Sequence, residues 1–177
     1  MSYASLEAVF ILVLILINGF FAMSEMALVA ARKARLKTLG NEGSRRARVA
    51  LLLKNKMDKF LSTAQIGITM VAILTGAVSG ATIAARVQNF LAGFPSLEPY
   101  NGPLGLVLVV VPITYLTLIV GELVPKKLAV SYPEKMSGFT APVMYLLMRL
   151  AMPAVFVLTA STKAVVRVLR ISPPKVG

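Results

Sequence analysis

The chain has 177 residues, 57% of them hydrophobic and 15% charged, with a net charge of +12 and no cysteine or histidine. The lack of Cys and His excludes disulfides, thiolate metal sites and the imidazole sites typical of zinc, copper and iron. The hydrophobic fraction exceeds the roughly 45–50% of soluble domains, so we expect a single domain embedded in the lipid bilayer.

Three apolar stretches predict membrane-spanning helices. They run from about residue 6 to 31, 60 to 85 and 104 to 124, and at about 1.5 Å per residue each can cross a bilayer. The first stretch lacks a basic N-terminal region and is longer than the core of a signal peptide, so we interpret it as a retained span. The predicted fold class is an all-α, polytopic membrane protein.

The basic residues predict the orientation of these spans. Residues 32–59 hold ten Lys and Arg, whereas residues 87–103 hold none. Because basic loops favour the cytoplasm, we expect a multi-pass protein of the cell membrane with its N-terminus outside and its C-terminus cytoplasmic. Arg86, at the outer end of the second span, departs from this pattern. Since the basic residues separate apolar spans, we do not expect nucleic acid as a partner.

A fourth apolar stretch, about residues 139–158, has two interpretations. A full span would place four basic residues outside and Arg149 within the bilayer, and Pro142 and Pro153 would each remove a helical donor. We therefore expect juxtamembrane helices over about 133–170, as over about 32–59, lying at the membrane interface. A fourth span remains the alternative.

The first span carries polar groups at Asn18, Ser24 and Glu25. A carboxylate in hydrocarbon is costly, so it usually faces a protein interior and has a function there. Ser24 and Glu25 lie about 100° apart on a helix and can line one polar face, with Asn18 nearly two turns closer to the outside. Pairing of Glu25 with Arg32 or Lys33 at the cytoplasmic edge is an equally open alternative.

The second span begins with four polar residues within eight positions, namely Ser62, Thr63, Gln65 and Thr69. Such side chains often bond only their own helix, but four together favour a lined cavity. Gly67 allows close backbone approach. Further along, Gly76 and Gly80 form a small-residue face on which another helix or a second copy of the chain can pack.

The third span contains an acidic residue next to a proline-disrupted turn. Pro125 cannot donate the hydrogen bond that would return to the Gly121 carbonyl, so that oxygen and the Glu122 carboxylate would lie side by side. Free carbonyls at a broken helix hold dehydrated cations in membrane proteins, and oxygen ligands point to a hard cation. The alternative is a simple kink in which Lys126, at i+4, neutralises Glu122.

Three motifs, in order and one per span, carry a family resemblance: NGFFAMSEMAL, LSTAQIGIT and GELVPKKLA. They resemble the transmembrane domain of the CNNM/CorC (cyclin M-like) Mg²⁺ transporters, the bacterial CorC branch most closely, over essentially the whole chain. The resemblance implies a homodimer with three spans and a belt of juxtamembrane helices per subunit. Tandem cytosolic CBS domains that bind ATP usually follow in that family. They are absent here, where the sequence ends at SPPKVG, so we expect a truncated form of a longer protein.

The resemblance also implies a Mg²⁺ site, formed by Ser24, Thr63, Gly67, Gly121 and Glu122. The other polar positions are candidates for the ion path or for supporting the ligands: Asn18, Glu25, Ser62, Gln65, Thr69, Pro125 and Lys126. Cyclin M relatives carry Asn after the glycine of the second motif, where this chain has Ile68, which shifts weight to backbone oxygens. The implied activity is Mg²⁺ export by alternating access, coupled to Na⁺ entry.

Two other functions were weighed against transport. The chain can be a non-conducting membrane anchor that dimerises a cytosolic regulatory region. A membrane-embedded hydrolase is disfavoured, because the sequence offers no His, no Cys and no convincing pair of nucleophile and base. We therefore expect a transporter rather than an enzyme.

Overall fold

The computed structural model describes residues 3–93 and 100–168, and in these residues the chain is helical and contains no strand. Three helices are long and apolar enough to cross a bilayer: Ser5–Ala30, Met57–Val78 and Asn101–Ser131. The prediction of an all-α polytopic fold is therefore confirmed. Residues 94–99 of the predicted outer loop and residues 169–170 of the predicted 133–170 segment lie outside the described residues.

The described helices follow one another with short connections. They are α1 (Tyr3–Ala30), α2 (Lys33–Asn41), α3 (Arg45–Lys54), α4 (Met57–Val78), α5 (Ala84–Leu91), α6 (Asn101–Leu118), α7 (Val124–Ser131), α8 (Pro133–Leu150) and α9 (Met152–Val168). Two short π-helical turns interrupt the spans. We call Ser79–Ile83, between α4 and α5, the first π-turn, and Ile119–Leu123, between α6 and α7, the second π-turn.

The first two spans pack against each other in antiparallel orientation. Just before α4 begins, the Lys54 ammonium donates a hydrogen bond of 2.7 Å to the carbonyl of Leu28, close to the end of α1. Midway along the pair, a Cβ at Gly67 would lie only 2.4 Å from the Phe21 ring, so the glycine makes room for this aromatic side chain. We call the end of the bundle where α1 ends and α4 begins the basic end.

The opposite end is held by side chains from α1, α5 and α6. Arg86 pairs with Glu7 at 3.0 Å, which gives the one basic residue that departs from the charge pattern an acidic partner. Gln88 donates a hydrogen bond of 3.3 Å to the carbonyl of Gly102. A Cβ at Gly105 would lie 2.4 Å from the Gln88 side chain, so α5 and α6 meet as a close helical hairpin.

The third span runs parallel to α1 and continues beyond its predicted end at residue 124. It reaches Ser131 because Pro125 lies in the first turn of α7, where a missing backbone N–H is tolerated. A Cβ at Gly19 would lie 3.0 Å from the ring of Pro125. The proline therefore packs on α1 instead of ending the span.

The hydrophobic core lies towards the basic end, where α8 crosses α1, α3 and α4. Its largest fully buried side chains are Phe60, Leu28, Leu36, Leu53, Met144 and Met148. The backbone N–H of Arg32 also donates a hydrogen bond of 3.2 Å to Glu134 at the start of α8. These contacts fix the juxtamembrane helices against the spans.

The connection between α2 and α3 is a defined turn. The Ser44 N–H bonds the Leu39 carbonyl and the Gly43 N–H bonds the Gly40 carbonyl, the pattern of a Schellman motif. Gly43 has a φ of 99°, which favours glycine. Ser44 then caps α3 by accepting a hydrogen bond of 3.2 Å from the Ala47 N–H.

The fourth apolar stretch forms α8 and α9, whose axes differ by 73°. Small residues of α8, among them Gly138 and Ala141, are buried against neighbouring helices, whereas Arg149 is exposed. By length and composition the two helices together would also suffice for one broken span. The interfacial orientation therefore stays a prediction.

Candidate cation site at the second π-turn

The second π-turn brings the third span into close contact with α1. Gly121 is buried, and a Cβ there would lie 3.1 Å from the carbonyl oxygen of Ile15 and 3.4 Å from Nδ2 of Asn18. The hydrogen bonds of a π-turn span one residue more than those of an α-helix, and such turns are frequent at functional sites. Here the turn presents the backbone of Gly121 to the first span, where any Cβ would be tightly packed against the Ile15 carbonyl.

Asn18 of α1 donates a hydrogen bond to the Gly121 carbonyl, to which Pro125 has no N–H to donate. Its Nδ2 donates a hydrogen bond of 3.0 Å to the Gly121 oxygen, so the expectation of an unpaired carbonyl is wrong. The Asn18 side chain is 7% exposed, and its Oδ1 has no hydrogen-bond partner among the described residues. Exchanging the two amide atoms would bring two acceptors together, which fixes this orientation. An unsatisfied acceptor oxygen therefore lies buried beside the π-turn.

Glu122 forms an ion pair with Lys126 in this conformation. The ammonium lies 2.6 Å from Oε1, and the side chains of Lys126 and Glu122 are 37% and 40% exposed. The neutralisation that the sequence offered as an alternative is thus present. Because the carboxylate is partly exposed and already bound to a cationic group, a metal ion that reached Glu122 would have to displace Lys126.

Ser24 and Thr63 are both buried within the helix bundle. Ser24 Oγ donates a hydrogen bond of 2.6 Å to the Phe20 carbonyl, and Thr63 Oγ1 donates one of 2.8 Å to the Lys59 carbonyl. These bonds to their own helix are the common arrangement for hydroxyls in membrane helices. Each oxygen still retains lone pairs that can accept a bond or contact a cation.

The four polar residues at the start of α4 do not face one common space. Thr63 is buried, whereas Gln65 and Thr69 are exposed and line an apolar cavity of about 430 Å³ that also contacts Leu158 of α9. Ser62 donates a hydrogen bond of 2.9 Å to the carbonyl of Asp58 in its own helix. The expected single polar cavity in this span is therefore not formed in this conformation.

Glu25 is partly buried on α1. Within the described part of the chain it forms no ion pair with Arg32 or Lys33, so that alternative is wrong; the ion pairs found there are Glu7–Arg86 and Glu122–Lys126. No group of three or more His, Cys, Asp or Glu residues in the described ranges could hold a metal ion. A divalent cation here would depend on one carboxylate together with neutral oxygens and water.

The glycine face of the second span is open. A Cβ at Gly76 or Gly80 would meet no described atom within 4 Å. Both residues line a cleft of about 290 Å³ between α4 and α6, beside Thr75 and Thr117. Of the two packing alternatives, close contact with a helix of the same chain is therefore not realised at these residues, and dimerisation through this face stays a prediction.

Sequence reasoning missed the partners of two side chains. Asn18 was recognised as polar, but its bond to Gly121 was not predicted. The signal for it was present, because an amide inside an apolar span requires a hydrogen-bond partner, and so does a carbonyl that lacks its helical donor. No sequence signal paired Lys54 with the end of α1, where it donates to Leu28 and, at 3.0 Å, to Val29. Burial there lowers the pKa of Lys54 below its ordinary value of 10.5.

These observations define a polytopic α-helical membrane domain whose third span has an acidic residue within a π-turn. The profile of the Cyclin M transmembrane N-terminal domain matches residues 9–176. The chain belongs to this family, which confirms the resemblance carried by the three motifs.

Several curated proteins are similar to the chain. It is 50% identical over 171 residues to the UPF0053 protein sll0260 of Synechocystis sp., covering 97% of this chain and 38% of that protein. It is 31% identical to the UPF0053 protein YrkA of Bacillus subtilis, over 90% of this chain and 37% of the relative. A protein named Polyamine export protein, from Haemophilus influenzae, is 28% identical over 92% of this chain and 37% of its own length. The chain thus spans less than two fifths of each of these relatives.

Proposed function

We propose that the chain is the membrane domain of a cation exporter, which binds Mg²⁺ beside the second π-turn and moves it by alternating access coupled to Na⁺ entry. The observation that supports this most is the hydrogen bond from Asn18 to the Gly121 carbonyl. It leaves the carbonyl next to Glu122 held by a side chain of another helix, and a cation can replace such a donor. We assign no enzymatic activity.

In the proposed binding step, one cation replaces two hydrogen-bond donors of the protein, the Lys126 ammonium and the Asn18 amide. The cation takes the Glu122 carboxylate from Lys126 and the Gly121 carbonyl from Asn18. Because Mg²⁺ demands near-octahedral oxygen ligands and gives up water reluctantly, a site with one carboxylate would leave several waters on the ion. The remaining proposed ligands are Ser24, Thr63 and the backbone of Gly67. Ser24 belongs to α1, whereas Thr63 and Gly67 belong to α4, which packs on α1.

Substitution of Glu122 by Gln tests this site directly. Glu122→Gln keeps the shape of the side chain but removes its charge, so Mg²⁺ binding measured by isothermal titration should be lost while folding and oligomeric state are kept. The matched control is Glu7→Gln, which removes the paired carboxylate at the opposite end of the bundle and should leave Mg²⁺ affinity unchanged. Unchanged affinity in a monodisperse Glu122→Gln protein would remove Glu122 from the ligand set.

A polyamine is the second candidate cargo. One relative carries the name Polyamine export protein, and in this structure Glu122 already accepts an ammonium group at 2.6 Å, that of Lys126. A polyamine ammonium would make the same contact. Titration of the protein with spermidine and with Mg²⁺, separately and in competition, distinguishes the two: a polyamine transporter binds spermidine through Glu122 and shows no saturable Mg²⁺ binding.

The anchor hypothesis predicts a different pattern of mutant effects. If Ser24 and Thr63 contact the ion, Ser24→Ala or Thr63→Ala should slow Mg²⁺ efflux in cells that express the full-length protein. Thr117→Ala is the matched control, because Thr117 also bonds its own helix, through the Ile113 carbonyl at 2.7 Å. Normal efflux in both hydroxyl variants, with no effect of Mg²⁺ on the stability of the wild type, would favour an anchor.

The proposed transport direction requires the predicted topology. A cysteine placed at Ser44 should be protected from an impermeant maleimide in intact cells, whereas one at Ser96 should react. A cysteine at Ser172 should also be protected; Ser96 and Ser172 lie outside the described residues. Labelling at Ser172 from outside would mean that α8 and α9 form a fourth span. We further propose a homodimer and, in the full-length protein, the cytosolic CBS domains implied by the family.

A further inference from the structure

A cavity of about 530 Å³ lies at the basic end, away from the second π-turn. It is bounded by α2 and the start of α3 on one side, and by the junction of α7 and α8 on the other. Its charged lining consists of Arg35, Arg46, Lys135 and Glu134. The volume falls in the range of small-molecule sites, roughly 300–1,000 Å³.

The lining carries three cationic side chains against one carboxylate. Arg35, Arg46 and Lys135 are exposed, and none of them belongs to the ion pairs found in residues 3–93 and 100–168. The single carboxylate, Glu134, accepts a hydrogen bond of 3.2 Å from the backbone N–H of Arg32. The cavity therefore has an excess of positive charge, which favours an anionic ligand.

Two helix N-termini add to this charge. The cavity is lined by Ser44 and Ala47 at the start of α3, and by Pro133 and Lys135 at the start of α8. The first backbone N–H groups of a helix have no partner within the helix, and the helix dipole makes this end positive. At α3 the Ala47 N–H is already bonded to Ser44 Oγ, and at α8 Pro133 has no N–H. The donors that these two first turns offer to phosphate oxygens are therefore the N–H groups of Arg46, Glu134 and Lys135, with the cationic side chains beside them.

The position of the cavity identifies the source of the anion. Ser131 and Tyr132, which also line it, mark the end of the third span, so in the predicted topology the cavity lies at the level of the lipid headgroups. Phe139 at its edge is 56% exposed, and Val143 and Leu146 continue this exposed apolar surface along α8. An acyl chain can follow that surface while the headgroup lies in the cavity.

We propose that this cavity binds the headgroup phosphate of an anionic glycerophospholipid. Arg46 is central to the proposed contact. Arg46 lies where α3 crosses α8, because a Cβ added at Gly138 would be 3.7 Å from the Cβ of Arg46. The bound lipid would tie α3 to α8. This proposal does not depend on the transported cation.

The test uses the full-length protein in a neutral detergent with short-chain phosphatidylglycerol, phosphatidylcholine or inorganic phosphate as the probe. We expect phosphatidylglycerol to raise the thermal unfolding midpoint and to remain bound in native mass spectra. Phosphatidylcholine and inorganic phosphate at equal concentration should do neither. Because one basic residue near a membrane surface contributes about 1 kcal/mol, Arg46→Gln should weaken phosphatidylglycerol binding about fivefold.

The matched control is Arg45→Gln, since Arg45 is an exposed neighbour that does not line the cavity. It should bind the lipid like the wild type, and Arg46→Lys, which keeps the charge, should retain most of the affinity if Arg46→Gln proves unstable. Equal losses for Arg45→Gln and Arg46→Gln would overturn the site in favour of diffuse attraction. Equal protection by inorganic phosphate, or no phosphatidylglycerol binding because another part of the full-length chain fills the cavity, would overturn it as well.

Discussion

The two π-turns lie in adjacent spans but in opposite surroundings. The second is packed on α1, where Gly121 is buried and bonded to Asn18 at 3.0 Å. The first borders the open cleft between α4 and α6, and a Cβ at Gly80 would meet no described atom within 4 Å. The same helical irregularity therefore serves as a contact between spans in one case and as the wall of a cleft in the other.

The hydrogen bonds near the two turns differ in the elements that they connect. Near the first π-turn, Ser79 Oγ donates a hydrogen bond of 3.2 Å to the Gly76 carbonyl of the same helix. At the second, the donor belongs to another helix. A bond within one helix moves with that helix, whereas a bond between two helices breaks when they separate. In the proposed transport cycle, the bond from Asn18 to the second π-turn would therefore break as α1 and the third span separate.

The largest expected difference between the turns concerns their glycines. Gly121→Leu would force a side chain against the Ile15 carbonyl, which is 3.1 Å from the position of a Cβ, and should reduce the free energy of unfolding by about 3 kcal/mol, the upper end of the usual cost of overpacking. Gly80→Leu enters open space and should change the stability of the isolated subunit by less than about 1 kcal/mol. Unfolding in mixed micelles of mild detergent and dodecyl sulfate measures both values.

Size-exclusion chromatography with light scattering is the control for Gly80→Leu. Loss of the dimer without loss of subunit stability would place the cleft at a subunit interface, as proposed for the Gly76 and Gly80 face. Comparable destabilisation of the isolated subunit by both substitutions would contradict the comparison, because it would mean that the cleft is closed in solution.

The next effect concerns two buried hydrogen bonds, one between helices, from Asn18 to Gly121, and one within a helix, from Thr75 to Val71. Asn18→Leu removes the donor to Gly121 while nearly keeping the side-chain volume, and leaving a buried acceptor unpaired should cost about 1–3 kcal/mol. Thr75→Val is the matched substitution, since Thr75 is also buried and bonds the Val71 carbonyl of its own helix at 2.9 Å. That carbonyl keeps its backbone donor, so the expected cost is below about 0.5 kcal/mol.

The same unfolding assay checks this pair, with helical content from circular dichroism as the control for misfolding. Equal costs for Asn18→Leu and Thr75→Val would show that the contact between helices is worth no more than a bond within one helix. The second π-turn would then lose the property that distinguishes it from the first.

The sequence predicted the fold well because the signals for spans are long and additive. Three apolar stretches gave three helices, and the i+4 spacing of Glu122 and Lys126 correctly offered the ion pair now found. Boundaries were less accurate: the third span continues to Ser131 because Pro125 lies in the first turn of α7, where its missing N–H is tolerated, and its ring packs on α1 at Gly19. Sequence rules describe what proline removes, but not what a neighbouring helix supplies.

The candidate site was predicted less completely for the same reason. Which oxygen is free depends on contacts between helices, and the partner of Gly121 lies 103 positions away in the chain, at Asn18. Periodicity likewise could not show that Thr63 is buried while Gln65 and Thr69 face outward. The first outcome depends on how α1 packs against the third span. The second depends on how α1 and α4 pack, where Gly67 makes room for Phe21.

A small change in stability is also expected at Lys126, and it separates two environments for Glu122. Both side chains of the pair are more than a third exposed. If that exposure is to a water-filled path, Lys126→Gln should cost less than about 1 kcal/mol, because water solvates the remaining carboxylate. It should also tighten Mg²⁺ binding by about threefold or more, since a competing ammonium worth about 0.7 kcal/mol is removed. Lys127→Gln, at an exposed position one residue further along α7, should change neither quantity. A loss of several kcal/mol in Lys126→Gln alone would instead mean that Glu122 faces hydrocarbon, where an unpaired carboxylate is costly, and the second π-turn would then be a structural contact between spans rather than a cation site.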